Sequence, residues 1–384
     1  MRKVLKFILG YFTIFICNIL SKFIIIRFAH IFTTRIGHQT MNFDAATLSV
    51  KKKTIILVSY DKNIANEFIF NFFKKTKKTF FSRKFRYILQ SIFFVNPMSE
   101  LLIDWNEYQP AFTRHLQHET KIIIPTYSTN KIKNIFDKFN IYKDFVGLHA
   151  RNNLYVKELV PEDKNYHEFR NFEFEDYKLG IDYLENKKNT IIKLGKTYPN
   201  EDLSFTKSNI ITSRDYNNND EIDYLINMYS KFNVIGNSGV AGMSSMVRKR
   251  ILYVNFIPFN LNNLSYCSPG SVILPKKILD KNFNKYVRFK DNENISDNIH
   301  STFDPYAKKN LEVVNNSAQE ILNAIQEMDN LIENKSHYYI NDSEYQEEFW
   351  KSFGKSNIEK TNYLKNTLKL TISPKFLNDN ANLI

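Results

Sequence analysis

A chain of 384 residues with a net charge of +13 is too long for one ordinary core, and two domains of roughly 150–200 residues each are expected. At 43% hydrophobic and 15% aromatic it is globular rather than disordered, and its basicity points to an anionic partner: nucleic acid, a membrane surface or a phosphorylated substrate. Cys17 and Cys267 stand far apart and there is no CxxC, HExxH or His/Cys cluster, which fits a reducing compartment and argues against a disulfide framework or a structural metal.

The amino terminus opens with an apolar run, Phe7 to Ser21, preceded by Arg2, Lys3 and Lys6 and followed by Lys22. Fifteen residues are short for a spanning helix, and no small-residue cleavage site follows. The expectation is a membrane-lying or partly buried helix over residues 1–22, with a transmembrane anchor as the competing reading. The first acid is Asp44, which favours an anionic leaflet. Strands are expected at Phe23–Phe32 and Thr54–Ser59. Between them TTRIGHQT carries Gly37, where a ligand could approach the backbone, and His38, whose ordinary pKa suits a general base. A plain surface-loop histidine explains His38 equally well.

From Asn71 to Arg86 seven Lys and Arg residues occur with no acid, and Phe70, Phe72, Phe73, Phe80, Phe81 and Phe85 are interleaved with them. A membrane interface would use both residue types. The competing pattern has Phe facing a core and Lys facing water, and is expected for about half of these positions. Single-stranded nucleic acid ranks lower, because no nucleic-acid module is recognisable. His115 and His118 in RHLQH lack further ligands for a metal.

From Tyr142 strands alternate with helices, the pattern of βαβ units on a parallel sheet. The expected strands are Phe145–Ala150, Thr190–Leu194, Asn209–Thr212, Asn233–Gly236 and Ile251–Phe256. The expected helices are Phe174–Asn186, Asp220–Lys231, Gly239–Lys249 and Ala318–Glu333. In FVGLHARNN a short apolar strand ends in a loop with His149 and Arg151, and the carboxyl ends of such strands bind ligands. Arg there suits a diphosphate, since its fork donates to two oxygens, although a structural ion pair is the commoner use. NSGVAGMSS offers Asn237 and Ser238 as helix caps, and with Gly239 a helix start able to hold a phosphate. In YHEFRNFEFEDY, Asn171 reads as an N-cap, while Arg170 calls for a phosphate or a carboxylate.

In order, RIGH (Arg35–His38), VGLHARNN (Val146–Asn153), FRNFEFEDY (Phe169–Tyr177), TIIKLGK (Thr190–Lys196), VIGNSGVAGMSSMVRKRILYVNF (Val234–Phe256), SAQEILNAIQEM (Ser317–Met328) and SPKFL (Ser373–Leu377) resemble a bacterial family of glycosyltransferases of surface-polysaccharide synthesis. No single motif is specific; the ordered set is, and it spans almost the whole chain. The resemblance implies an α/β fold of GT-B type, two Rossmann-like domains facing each other across a cleft. The expected divisions are the helix 1–22, an acceptor domain 23–140, a donor domain 141–335 and a tail 336–384 packing back on the domains.

It further implies transfer from a nucleotide-sugar donor to a glycan or lipid-linked acceptor, without metal or cofactor beyond that co-substrate. The chain would sit in the cytoplasm, peripheral to or anchored in the inner membrane, with an anionic membrane surface and no nucleic acid among its partners. The HxR segment also looks like the strand-end motif of GDP-fucose-dependent fucosyltransferases, which assigns Arg151 to the donor diphosphate. Lys193, Ser238 and Gly239 join it there; Gly37, His149, Asn152, Arg170, Asn171 and Asn237 are expected donor or acceptor contacts, and His38 the base. The chain departs from the pattern twice. Asn152 stands where an acid is expected and cannot be a base, and Lys193 stands for an Arg, keeping the charge without the fork. A sugar-nucleotide epimerase and a noncatalytic membrane- or anion-binding protein are the rival functions.

Overall fold

The computed structural model describes residues 2–48, 53–75, 78–103, 129–141, 144–154, 158, 167–199, 201, 203–206, 209–295, 305–333 and 344–384. Two compact units divide it, Met1–Thr126 and Tyr127–Ile384. Both are α/β around parallel strands, the class expected from the sequence.

In the first unit β1 (Ile25–Ile31), β2 (Thr54–Tyr60) and β3 (Thr79–Phe81) form a parallel sheet in sequential order. Their β-branched and aromatic residues suit a pleated, covered surface. Helix α1 (Arg2–Leu20) packs along α4 (Phe85–Val95). Between them in sequence lie α2 (Ile36–Leu48) and α3 (Glu67–Lys74). The α3 N-cap is Asn66, whose side chain accepts from Ile69 N–H at 2.8 Å. Gln39 holds that cap, donating to the Asn66 carbonyl at 2.8 Å and accepting its N–H at 3.1 Å. In the basic segment Phe70 and Phe73 are buried, Phe80 is exposed, and Phe72, Phe81 and Phe85 lie between. Core packing thus claims the residues on the inner face of α3, and water or a partner claims Phe80.

The second unit carries a six-stranded parallel sheet. Its strands are β4 (Phe145–His149), β5 (Thr190–Lys193), β6 (Asn233–Gly236), β7 (Ile251–Phe256), β8 (Val272–Pro275) and β12 (Thr371–Ile372), ordered β12-β8-β7-β6-β4-β5. A smaller antiparallel sheet joins β9 (Lys277–Asp280) to β10 (Lys285–Tyr286) and β11 (Leu311–Val314). The helices of this unit include α5 (Thr129–Lys138), α6 (Lys178–Asn186), α7 (Asp220–Tyr229), α8 (Ala241–Met246), α9 (Ala318–Glu333), α10 (Glu344–Phe353) and α11 (Pro374–Asp379). Helix α5 therefore belongs with the second unit, although the sequence placed the division near residue 140.

The stretch Asn209–Thr212, expected as a strand, makes one bridge only, Ile211 to Ile192. Asp215 accepts from both the backbone N–H and the hydroxyl of Thr212, at 2.6 and 2.8 Å, and turns the chain away before a ladder can grow. The helix expected from Phe174 opens instead as a 3-10 turn, Phe174–Tyr177, before α6 begins.

Candidate active site

Strand β4 is followed by β5 on one side of it and by β6 on the other, so the chain reverses direction across the sheet at β4. Open α/β sheets bind ligands outside the carboxyl ends of the strands at such a switch point. The residues at the ends of β4, β5 and β6 are His149, Lys193 and Gly236. Those three segments meet. Ser238 Oγ lies 3.2 Å from His149 Nδ1, and the Tyr177 hydroxyl donates to the His149 carbonyl at 3.0 Å, fixing the strand end. Gly195 has φ +80, a conformation a side chain strains, and a Cβ there would come within 3.3 Å of the His149 ring. Burial, reinforced by Lys193 and Arg151, drives the His149 pKa down to about 3, so the imidazole is neutral.

Arg151 is buried and donates to the Asn153 side chain at 3.2 Å, the His167 carbonyl at 3.0 Å and the Asn171 side-chain oxygen. Asn171 is thus not an N-cap: it follows the 3-10 turn Glu168–Arg170, and its side chain serves the guanidinium. Arg170 donates through Nε to the Asn237 carbonyl at 3.0 Å and through a second nitrogen to the same oxygen, tying the loop after β4 to the loop after β6. Asn237 in turn donates to the Ile257 carbonyl at 3.1 Å. Neither Asn237 nor Ser238 caps a helix. Helix α8 starts later, at Ala241, with Val240 in the cap position and no side-chain cap bond. Its six residues make the helix dipole a minor contributor, and a backbone turn at Ser238–Ala241 takes the place of the expected helix start.

The two departures from the expected pattern meet at one carboxylate. Lys193 Nζ is 2.7 Å from Glu201 Oε2, and the Asn152 side-chain amide donates to Glu201 Oε1 at 3.0 Å. Burial pulls the Lys193 pKa down and Glu201 opposes that. Sequence reading missed Glu201, 49 residues beyond Asn152 and in no motif.

It also missed Lys276. This side chain is 1% exposed and donates to the carbonyls of Phe169 and Asn171, both at 2.9 Å. Burial lowers its pKa to about 7; Asp176 opposes the shift, and Arg151 and Arg170 add to it. The signal was available: VILPK is an apolar run ending in a cation, the pattern that singled out Arg151.

On the first unit, Gly37 and His38 lie in the first turn of α2 rather than in a loop before it. The half-buried His38 ring stands edge-on to Phe32 at 5.8 Å. At the ends of β1 and β2, His30 Nδ1 is 2.9 Å from Ser59 Oγ and Nε2 is 3.5 Å from Asp61 Oδ1, with Arg86 on the same carboxylate at 3.2 Å. Ser59 is fully buried, so the trio is not a nucleophile site, while Asp61 keeps some exposure. Among the described residues no group of three His, Cys, Asp or Glu is placed to hold a metal ion. His115 and His118 lie outside the described residues.

No family model and no curated protein sequence matches the chain. Among solved structures it is similar to the glycosyl transferase family 9 protein from Veillonella parvula DSM 2008, with a TM-score of 0.47 and 10% identity over 79% of this chain and 96% of that one. It is also similar to the ADP-heptose lps heptosyltransferase II of E. coli, with a TM-score of 0.42 and 10% identity over 81% of this chain and 100% of that one. Likeness at this level does not carry a substrate from those proteins to this chain.

Proposed function

We propose that the protein is a glycosyltransferase moving a sugar from a nucleotide-sugar donor to a cell-surface glycan or lipid-linked acceptor. One observation carries the reading. Lys193 and Arg151 flank neutral His149 at the switch point of the second sheet, and Arg170 and Lys276 lie beside Arg151, against the carboxylates of Glu201 and Asp176. The positive charge of Arg151, Arg170 and Lys193, largely buried and held by fixed hydrogen bonds, suits the diphosphate of a sugar nucleotide.

In the transfer the bond between the anomeric carbon and the diphosphate oxygen breaks, and the electron pair leaves with the diphosphate. Preorganised cations stabilise that developing charge without reorganising. Arg151 is the principal donor. Arg170 and Lys276 hold the 169–171 loop that presents Asn171 to it. His149, uncharged, can exchange a hydrogen bond with a phosphate oxygen or with a sugar hydroxyl through Ser238. The acceptor oxygen forms the new bond and loses its proton to a base, for which His38 of the first unit is the proposed residue. The cations take the charge-stabilising role, so no metal is required by this reading.

Calorimetric titration with UDP, GDP, TDP, CMP and ADP tests it. One nucleotide is expected to bind at micromolar level, with affinity falling at least about tenfold in Arg151→Lys, which keeps the charge and loses the fork. A folded protein that binds none of the five would overturn the reading. Release of nucleotide or a changed sugar without any acceptor would favour the epimerase.

A further inference from the structure

The outward half of α1 is apolar apart from Asn18 near its end. At 100° per residue Val4, Ile8, Tyr11, Phe12, Phe15 and Ile19 share one face, and each is at least half exposed. The opposite face carries Lys6, Gly10, Ile14 and Cys17 and is the one that packs inward. This reverses the usual order of a helix on a soluble protein, where the outer face is polar. Phe93 and Phe94 of α4 and Phe23 beyond α1 are exposed as well.

The two helices run parallel. Lys6 donates to Gln90 at 3.2 Å and its ammonium lies 5.8 Å from the Tyr87 ring, while a Cβ on Gly10 would fall against the Ser91 carbonyl and the Val95 side chain. Their positive ends therefore lie together, with Lys3 in the first turn of α1 and Lys84 just before α4, while Arg86 pairs with Asp61 at 3.2 Å. Lys22 marks the other end of α1. Neither helix contains an acid. An apolar face bordered by cations, with no carboxylate on either helix, complements an anionic lipid headgroup layer.

We propose that α1 and α4 form a monotopic platform by which the first unit lies on an anionic phospholipid bilayer, with α1 in the plane of the interface. Helix α1 is the one described helix long and apolar enough to cross a membrane by length and composition. Crossing would require it to leave α4, uncovering Leu89 and Ile92, which are fully buried with Cys17 in one cluster. Taking α4 along does not help, since 11 residues are too few to span. Gly10 and Cys17 fix α1 to the unit, and with only 11% of the apolar stretch Lys3–Leu20 buried most of its surface is left for lipid. This inference stands independently of the donor site.

The test is co-flotation of the full chain with phosphatidylcholine vesicles, with and without phosphatidylglycerol, at low and high salt. Binding is expected only with the anionic lipid and weakens as salt rises. Phe12→Ser/Phe15→Ser is expected to reduce it at least about a hundredfold. Lys3→Gln and Lys84→Gln each reduce it about fivefold. Both apolar positions are exposed, so near-ultraviolet circular dichroism is expected to be unchanged; should the double variant misfold, the lysine variants carry the test. An alkaline carbonate wash is expected to release the protein. Carbonate resistance would show a spanning anchor and overturn the proposal. So would binding unaffected by the phenylalanine or lysine variants, or a wild-type chain that ignores lipid and forms a discrete dimer through this face.

Discussion

Lys276 sits at an acid–base balance set by the fold. Burial lowers its pKa to about 7 from an ordinary 10.5, while an anion bound nearby would raise it again. Affinity for inorganic pyrophosphate is therefore expected to fall as pH rises through about 7, and calorimetry across that range measures it. The dependence should flatten in Lys276→Met, and a slope unchanged in that variant would assign it elsewhere. The stability sign follows from the same shift. Between the folded pKa near 7 and the unfolded 10.5 the unfolded chain holds more protons at this residue, so its contribution to stability rises with pH across that window. Lys193 makes a second case. Lys193→Met leaves Glu201 largely buried without its cation and should cost roughly 3–5 kcal/mol in urea unfolding, whereas Lys193→Met/Glu201→Gln should recover part of that loss. Full additivity of the two substitutions would mean that the pair is not coupled.

At the scale of elements, Gly195 and Gly10 are two positions where a side chain would be felt. Gly195→Ala must adopt φ +80 and press on the His149 ring, so a loss of about 1–2 kcal/mol and weaker diphosphate binding are expected in thermal unfolding and titration. Gly10→Leu should dislodge α1 from α4 at about 1–3 kcal/mol without touching the donor site, so nucleotide binding is the control that separates the two. Most of the parallel sheet was legible in the sequence. Asn233–Gly236, Ile251–Phe256 and Ala318–Glu333 stand as the sequence placed them, because buried strands are continuous apolar runs and α9 keeps a clean helical period. The two-residue strands β10 and β12 gave too short a signal. The cap assignments at Asn171, Asn237 and Ser238 failed for one reason: Asn and Ser serve caps and side-chain networks equally well, and only the fold shows Arg151, Arg170 and His149 beside them. Arg151 was legible because a cation at a strand end is a local pattern. Glu201 was not, because its partners come from two distant segments.

For the molecule as a whole the decisive question is whether the tail is an accessory or part of the second unit. β12 pairs in parallel with β8 through Thr371↔Val272 and Ile372↔Ile273, making a two-residue strand the edge of the main sheet. Gln346 of α10 donates to the Ile372 carbonyl, and Glu327 of α9 accepts from the Ser373 hydroxyl and the Lys375 backbone N–H, both at 2.7 Å. Phe349, Phe353 and Phe376 sit buried with Phe259 and Phe289, residues that come from well before the tail. Losing them would open an edge strand and uncover an aromatic core together, and each large buried ring is worth roughly 1.5–3 kcal/mol of transfer energy. Three rings at that value sum to roughly 4.5–9 kcal/mol, comparable with a typical domain's whole net stability of about 5–15 kcal/mol. A chain ended at residue 343 is therefore expected to lose the near-ultraviolet dichroism and cooperative unfolding of the second unit, and nucleotide binding with them. Adding a peptide of residues 344–384 should restore part of the signal, since the lost contacts are the peptide's own. A truncated chain that still unfolds cooperatively and binds nucleotide would show instead that β4 to β8 and their helices hold the donor site without the tail.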